Sequence, residues 1–312
     1  MIAIDNSILT AVQTCSTQTA LRYILGLAAS EDGGPQRAGS AAHAAWAAWF
    51  RSGGDAGAAL GALEADYKTW AEEHIDDPDD RLAYANVHAI MQQWFTVHTT
   101  ASLPIHVPAT LVEVGFAVPL DGDFVFVGRM DALGQTETGA WQLVEHKTSG
   151  QLDDKWRRTH RSAAQITGYT FAAQHHVNAP VVGALINGVE FSKLPSSERK
   201  CRFHNTTYAK CRLQHAKFEA FVTERPPHLH AAWLETAISL AHRFVALRDR
   251  VQSIDDLHAK RIPTEGQFTG ACTRCPFNDY CRMGRPTAPA QVEAQLRMDP
   301  WSPYAHAFQR EV

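Results

Sequence analysis

The chain has 312 residues, 45% of them hydrophobic and 20% charged, with a net charge of −4. This composition is typical of a globular protein, and it excludes a general attraction to nucleic acid, which must come from local basic patches if it exists. No run approaches the roughly 20 apolar residues that cross a bilayer. The first residues lack the basic and apolar regions of a signal peptide, so we expect a cytoplasmic protein whose cysteines are thiols or metal ligands rather than disulfides.

The first hundred residues are predicted to be mainly helical. Apolar residues recur at helical spacing over residues 7–27, and Ser7 is the expected N-cap. Residues 30–35 form a loop. An alanine- and tryptophan-rich helical region follows over residues 38–100, with breaks at residues 52–54 and 77–78.

The hydrophobic pattern then changes to that of strands. Residues 111–118, 124–132 and 141–145 are predicted to form a three-stranded antiparallel meander. A helix with Gln165 and Tyr169 comes next, and then a strand over residues 181–186. Residues 206–250 are predicted to be mostly helical with an interruption at residues 226–227, and the tail from residue 286 to be only partly ordered.

An acidic residue and a Glu-x-Lys sequence end two successive strands of this meander. They are Asp131 and Glu145-His146-Lys147. Carboxylates that hold Mg²⁺ or Mn²⁺, with a lysine on the same strand face, are the minimal equipment for hydrolysing a phosphodiester. Taken singly, each residue also fits a plainer interpretation, in which Asp131 starts a turn and Glu145 and Lys147 form a solvated strand face.

Two further motifs flank this pair in a fixed order. Gly39-Ser40-Ala41-Ala42-His43 precedes it, and Gln165-Ile166-Thr167-Gly168-Tyr169 follows it. With Gly-x-x-x-His, the acidic strand, Glu-x-Lys and Gln-x-x-x-Tyr in this order, the chain resembles the RecB-like branch of the PD-(D/E)XK nuclease superfamily. Gln165 and Tyr169 are four apart and share a helix face.

The resemblance implies an α/β fold in which a central mixed sheet is flanked by helices, with Asp131 and Glu145 on adjacent central strands. It implies that His43, Asp131 and Glu145 surround the metal, that Lys147 assists the nucleophilic water, and that Gln165 and Tyr169 orient DNA or the carboxylates. It covers one nuclease domain over residues 1–285, in which residues 5–100 are helical, residues 105–200 form the catalytic core, and residues 205–285 are helical and bind a cluster. Residues 286–312 form a tail.

Three cysteines lie close together near the end of the chain. Cys272, Cys275 and Cys281 have C-x-x-C-x5-C spacing, which indicates a metal site. The fourth ligand is one of Cys15, Cys201 and Cys211, and the alternatives of an iron–sulfur cluster, a zinc ion and free buried thiols stay open. The resemblance implies a 4Fe-4S cluster held by Cys15 and the three late cysteines, which would join the N-terminal and C-terminal segments. Ser16 departs from the proline often found there.

A basic segment lies between Glu-x-Lys and Gln-x-x-x-Tyr. Its candidate DNA-binding residues are Lys155, Trp156, Arg157, Arg158 and Arg161. Cations follow phosphates and an indole can stack on an unpaired base, although a solvated helix face is the competing interpretation. Arg199, Lys200 and Arg202 form a weaker second patch.

These patterns predict a Mg²⁺- or Mn²⁺-dependent deoxyribonuclease. The resemblance implies an exonuclease that acts on single-stranded DNA in repair, phage or CRISPR-associated processing, with a protein partner in a recombination, repair or CRISPR complex as a further expectation. No Walker motif is present, so the chain is not itself a helicase. The alternatives are a catalytically silent or partner-dependent DNA-binding module with the same fold, and a zinc-stabilised regulatory protein.

Overall fold

The computed structural model describes residues 1–29, 33–77, 80–100, 102–192, 200, 206–207 and 216–308. The helices, in chain order, are α1 Asn6–Thr14, α2 Ser16–Thr19, α3 Gly34–Arg51, α4 Ala56–His74, α5 Tyr84–Val97, α6 Asp154–Arg161, α7 Ala164–Val177, α8 Pro227–Arg250, α9 Asp256–Ala259, α10 Gly266–Thr269, α11 Asn278–Arg282, α12 Pro289–Glu293 and α13 Pro303–Phe308. The strands are β1 Ile2–Ile4, β2 Leu27–Ala29, β3 Ile105–His106, β4 Val112–Pro119, β5 Phe124–Thr136, β6 Trp141–Ser149, β7 Val181–Glu190, β8 Phe218–Glu224 and β9 Leu296–Met298.

The chain divides into two compact units. One, the central unit, consists of residues 33–114 and 130–227. The other, the terminal unit, consists of residues 1–32, 115–129 and 228–312. None of the helices among the described residues is both long and apolar enough to cross a bilayer.

The central unit is built on a mixed sheet. Strand β6 pairs in parallel with β7, while β5 pairs with β6 and β8 with β7 in the antiparallel sense. Helices α3 and α7 both pack against β6. The predicted mixed sheet with flanking helices is therefore confirmed, and so is the pairing of the predicted meander, since β4 also pairs with β5.

Helices α3, α4 and α5 follow the predicted helical region and its breaks. Large aromatic side chains form their shared core: Trp46, Trp49 and Trp94 are each at most 1% exposed. The break between α3 and α4 falls at the predicted glycines, Gly53 and Gly54, which both have positive φ angles (72° and 103°). Glycine reaches this region without the steric cost that a side chain brings.

The prediction of helix over residues 206–250 is wrong for its middle part. Residues 218–224 form β8, which pairs with β7 over the whole strand, for example Val222 with Leu185. Because β7 offers an unpaired strand edge, the hydrogen bonds of the sheet outweigh the local preference of this segment. Helix α8 begins at Pro227, where a missing amide hydrogen has no cost.

The terminal unit joins segments that are far apart in the chain. Strand β1 pairs in parallel with residues 124–126 of β5, and β2 pairs with β9 in the antiparallel sense. The predicted tail has more structure than expected, because α12, β9 and α13 all lie in it. Trp301 fixes this segment: its indole nitrogen donates to Oδ2 of Asp5 at 2.7 Å.

The first predicted helix is interrupted, and its cap is not Ser7. Asp5 is the N-cap of α1, accepting the amide of Ile8 at 2.7 Å. Cys15 is extended (φ −164°, ψ 121°) and separates α1 from α2. The amide and hydroxyl of Ser16 both donate to the Glu265 carboxylate, at 2.8 and 2.7 Å. A residue far along the chain thus accepts the amide hydrogen at the start of α2, which a continuous helix would have bonded to its own backbone.

Several predicted features lie outside the described residues. They are Cys201, Cys211, Arg199 and Arg202, with residues 30–32 of the predicted loop. Residues 34–35, also predicted to be loop, instead begin α3, where Pro35 fits the first turn of a helix. Lys200 is described; it is exposed and forms an isolated bridge with Thr207.

Candidate active site

Asp131 and Glu145 lie side by side on neighbouring strands of the central unit. The pairing of β5 with β6 runs from Gln135 and Trp141 to Ala132 and Val144. Beyond that pair, the amide of His146 donates to Oδ2 of Asp131 at 2.7 Å. The carboxylate thus accepts an amide hydrogen from the partner strand, which holds it beside the Glu-x-Lys sequence as predicted.

Lys147 links the Glu-x-Lys strand to the helix that carries Gln165. Its Nζ donates to Oε1 of Glu145 at 2.6 Å and to Oε1 of Gln165 at 3.0 Å. Glu145 and Lys147 share a face of β6 because strand side chains alternate. Gln165 is the second residue of α7, so the start of this helix sets the place of the lysine ammonium.

His43 reaches the site from α3. Its Nδ1 lies 3.1 Å from Oδ1 of Asp131. Gly39, one turn earlier, packs so closely on β6 that an added Cβ would lie 3.2 Å from Oγ1 of Thr148. The glycine of Gly-x-x-x-His therefore allows the close approach of helix and strand that brings His43 to the acidic residues.

Glu113 is a site residue that our interpretation of the sequence missed. One ligand atom from each of His43, Glu113 and Asp131 lies within 4.8 Å of the others. Glu113 belongs to β4 and has a φ of 55°, a left-handed conformation that is rare and costly for a residue with a side chain. The signal available in the sequence was one carboxylate between the buried residues Val112 and Val114.

The charges of this group stabilise one another. Burial raises the pKa of Asp131, but His43, both as a neighbouring charge and as a hydrogen-bond partner, brings that pKa well below its usual range. Burial likewise lowers the pKa of His43, and the Asp131 carboxylate more than offsets it, so the pKa of His43 is raised. The pKa of Lys147 is raised by Glu145 and Asp131 against the effect of burial.

Glu145 differs from its neighbours because burial dominates. It is 1% exposed, and burial raises its pKa to about 7 although Lys147 opposes the shift. Its Oε2 accepts no hydrogen bond from any described residue. A buried carboxylate oxygen without a partner is costly, which is the state expected of a ligand atom awaiting a cation.

The donor set fits a divalent cation. His43, Glu113 and Asp131 form the close group of ligand atoms, and Glu145 lies outside it with a third carboxylate. Hard oxygen donors favour Mg²⁺ or Mn²⁺. The unpartnered Oε2 of Glu145 supports the same assignment. Lys147 stands next to these ligands, where it adds a positive charge.

Tyr169, the last residue of Gln-x-x-x-Tyr, lies one turn after Gln165 on α7. It is 8% exposed, so it is a packed residue of this helix. The structure thus brings His43, Asp131, Glu145, Lys147 and Gln165 together as predicted and places Tyr169 on the same helix as Gln165.

The basic segment forms α6, and only part of it faces solvent. Lys155, Arg158 and Arg161 are exposed. Arg157 forms an ion pair with Glu219 at 2.5 Å. Trp156 is only 8% exposed, and an added Cβ on Gly188 would lie 2.5 Å from its ring. The indole packs into the sheet, so its burial does not fit the predicted stacking on a base.

His160 lies on the side of α6 that faces Lys147 closely enough to feel its charge. Burial, and then the charge of Lys147, lowers the pKa of His160 to about 4. The imidazole is consequently neutral near pH 7. No local pattern separates His160 from the cations around it in the sequence.

A second candidate site lies within the terminal unit. Cys15, Cys272, Cys275 and Cys281 line one cavity. An added Cβ on Gly266 would lie 3.4 Å from Sγ of Cys272 and 3.6 Å from Cβ of Cys15, so glycine leaves this space open. Burial, and then the neighbouring cysteines, raise the pKa of Cys281 to about 11. The predicted choice of Cys15 as fourth cysteine agrees with this grouping.

Asp131 and Glu145 lie within β5 and β6 rather than at their predicted ends, because both strands continue past them. Acidic side chains on adjacent strands, a lysine on one of these strands and a set of oxygen donors are the features of a metal-dependent hydrolase site on a mixed α/β fold. A family model of the PD-(D/E)XK nuclease superfamily matches residues 6–282. The chain belongs to this superfamily, whose members are metal-dependent nucleases. A search of curated proteins gives no match.

Proposed function

We propose that this protein hydrolyses DNA phosphodiester bonds with Mg²⁺ or Mn²⁺, using His43, Glu113, Asp131 and Glu145 as ligands. The observation that carries the proposal is the position of Lys147. Its Nζ donates to Oε1 of Glu145 at 2.6 Å and to Oε1 of Gln165 at 3.0 Å, next to Oε2 of Glu145, which has no hydrogen-bond partner among the described residues. A lysine fixed in this way has a role beyond solvation of a strand face.

The side chains of the site have two roles, which are to bind the cation and to offset charge on the phosphate. A bound divalent cation supplies charge stabilisation and a more acidic water. Asp131 stays ionised because His43 and Lys147 lie close to it, so it offers a permanent negative charge. Lys147 stays protonated and offsets the charge that develops on the phosphate. Gln165 keeps the ammonium from turning away from the reacting group.

We propose that the substrate is single-stranded DNA, degraded from an end. Support comes from α6, where Lys155, Arg158 and Arg161 are exposed and His160 lies near Lys147. Exposed cations beside the site would follow the phosphates of one strand. Trp156 is left out of this surface because it is buried. The RecB-like resemblance supports the exonuclease assignment and a role in repair, phage or CRISPR-associated processing in the cytoplasm.

We propose that the four-cysteine cavity holds a 4Fe-4S cluster rather than zinc. In a tetrahedral zinc site with bonds of about 2.3 Å, the sulfur atoms lie only about 3.8 Å apart. Among the described residues, the only group of three or more ligand atoms within 4.8 Å of one another is the carboxylate–histidine group, so the thiols are spread more widely. In a cluster each thiolate binds a different iron, which suits the wider spacing.

The deciding experiment is cleavage of end-labelled single-stranded and double-stranded DNA by protein purified without oxygen. The reactions contain Mn²⁺, Mg²⁺ or EDTA, and Lys147→Ala runs alongside the wild type. Metal-dependent cleavage that is lost in the variant supports the proposed site, and the product ladder shows whether degradation starts at an end. Folded wild-type protein that cleaves neither substrate would contradict the proposal and favour a binding module.

A further inference from the structure

Arg225 is a buried cation that follows β8 in the central unit. It is 3% exposed, and burial lowers its pKa. Its guanidinium donates to four oxygen atoms, all of them uncharged: Oγ1 of Thr167 at 2.9 Å, Oγ1 of Thr223 at 2.5 Å, the Glu224 carbonyl at 2.8 Å and the Arg161 carbonyl at 2.8 Å. Burying a cation whose hydrogen-bond acceptors are all neutral costs folding free energy, so a residue that only fills space would more often be apolar.

Two of the four partners of Arg225 belong to two helices that meet at the site, and the other two belong to β8. Arg161 is the last residue of α6, and Thr167 is the fourth residue of α7. Only residues 162 and 163 separate these helices. The Thr223 hydroxyl, which accepts from Arg225, also lies 3.5 Å from the Arg161 carbonyl. One planar group thus binds the end of α6 and the first turn of α7 at the same time.

The remainder of β8 supports α6 along the same strand face. Glu219 pairs with Arg157 at 2.5 Å, and Phe221 lies under the guanidinium of Arg161 at 5.7 Å. Residues 219, 221 and 223 lie on the same face of the strand, because successive side chains alternate between its two faces. Glu219 and Phe221 already hold α6 against β8. The particular contribution of Arg225 is therefore its hydrogen bond to Thr167, which connects α7 to the same strand.

We propose that Arg225 is a positioning residue that fixes α7 relative to α6 and thereby places Gln165 against Lys147. Gln165 lies two residues before Thr167, in the turn that Arg225 holds. The five donors of a guanidinium have fixed directions, so they determine an angle between helices that an apolar side chain would leave free. The proposal rests on the nuclease function, because its readout is cleavage.

The test is a double-mutant cycle of Arg225→Gln and Gln165→Ala, in which the steady-state kcat and KM for cleavage of single-stranded DNA are measured. We expect each single variant to lose about 10²-fold in kcat, the cost of a small displacement of a catalytic group, with KM nearly unchanged. The double variant should lose no more than either single variant, because both changes remove the same contact. Thr167→Val, which removes only the α7 partner, should lose kcat in the same sense and to a smaller extent.

Controls separate this role from general stability and from the proposed function. Arg250→Gln alters an exposed arginine of α8 and should keep wild-type kcat. Thermal unfolding is measured for every variant, and Thr167→Val keeps the test valid if Arg225→Gln does not fold. Losses in kcat that multiply in the double variant, or equal kcat for Thr167→Val and wild type, would overturn the positioning role. Absence of cleavage by the wild type would instead contradict the nuclease proposal.

Discussion

The amide of His146 donates to Oδ2 of Asp131 at 2.7 Å, so the residue between Glu145 and Lys147 also holds the second acidic residue of the site. The imidazole of His146 is 2% exposed and stacks on Trp46 with ring centroids 4.2 Å apart. Trp46 lies on α3, the helix that carries His43. One residue therefore ties both strands of the acidic pair to the helix that supplies the histidine.

The orientation of His146 should depend on Asn187. Nδ2 of Asn187 lies 2.7 Å from Nδ1 of His146, and its Oδ1 accepts from the Trp94 indole at 3.4 Å. Replacing Asn187 by Leu leaves two buried polar groups unpaired, so we expect the free energy of unfolding to fall by about 2–4 kcal/mol. Urea unfolding measures the loss. Equal stability of Asn187→Leu and wild type would show that this network does not hold the site.

Glu113 should bind metal at the expense of stability. We expect Glu113→Gln to weaken Mn²⁺ binding by about 10- to 100-fold, measured by calorimetry with Glu137→Gln as the exposed control. Glu113→Gly loses the same ligand but removes the left-handed strain, so it should unfold at a higher temperature than Glu113→Gln. Unchanged Mn²⁺ affinity in both variants would remove Glu113 from the ligand set.

Metal binding should weaken in acid because of Glu145. Its pKa of about 7 means that a proton occupies the carboxylate below this pH, and a cation must displace it. We therefore expect the apparent Kd for Mn²⁺ to rise by about tenfold for each unit that the pH falls below 7, and to level off above it. Glu145→Gln should bind weakly at every pH. A Kd that does not vary between pH 5 and pH 7 would contradict the assignment.

Loss of one cysteine of the cavity should remove the cluster. Cys272→Ser should lose the brown colour and most of its iron, and the free energy of unfolding should fall on the order of 3 kcal/mol, as for other long-range cross-links. Cys211→Ser, outside the C-x-x-C sequence, serves as the matched control. Wild-type protein that is colourless and contains one zinc per chain would show that the site is a zinc site.

The exposed cations of α6 should contribute to DNA binding mainly through charge. Replacing Lys155 and Arg158 by Ala should weaken binding of single-stranded DNA, and the slope of log K against log salt should fall by about 1.4. Lys68→Ala, on the exposed face of α4, is the matched control because its ammonium pairs with Glu64 at 2.7 Å. An unchanged salt dependence in the double variant would place the DNA path elsewhere.

The sequence predicted those parts of the site that have a local pattern. Strand alternation put Glu145 and Lys147 on one face, and helical spacing put Gln165 and Tyr169 on another, and the structure has both arrangements. Glu113 was missed because a single carboxylate in an apolar strand carries no spacing. Its left-handed backbone is set by neighbouring segments rather than by its own residue type.

The parts that the sequence did not predict depend on partners far along the chain. Strand β8 forms because β7 offers it an edge, and Trp156 is buried because Gly188, on β7, leaves space for its ring. The break at Cys15 is capped by Glu265, which lies 249 residues later. None of these contacts can be predicted from a short stretch of sequence. The hydrophobic periodicity therefore predicted the wrong element or the wrong exposure at each of these places.

The pairing of β2 with β9 has a consequence for how the protein is made. Strand β1 pairs with residues 124–126 and β2 pairs with β9, so residues 1–29 have all of these partners only after residues 296–298 have been synthesised. The central unit, which ends at residue 227, is complete earlier in synthesis. Residues 1–29 are therefore translated before the central unit and complete their strand pairing after it.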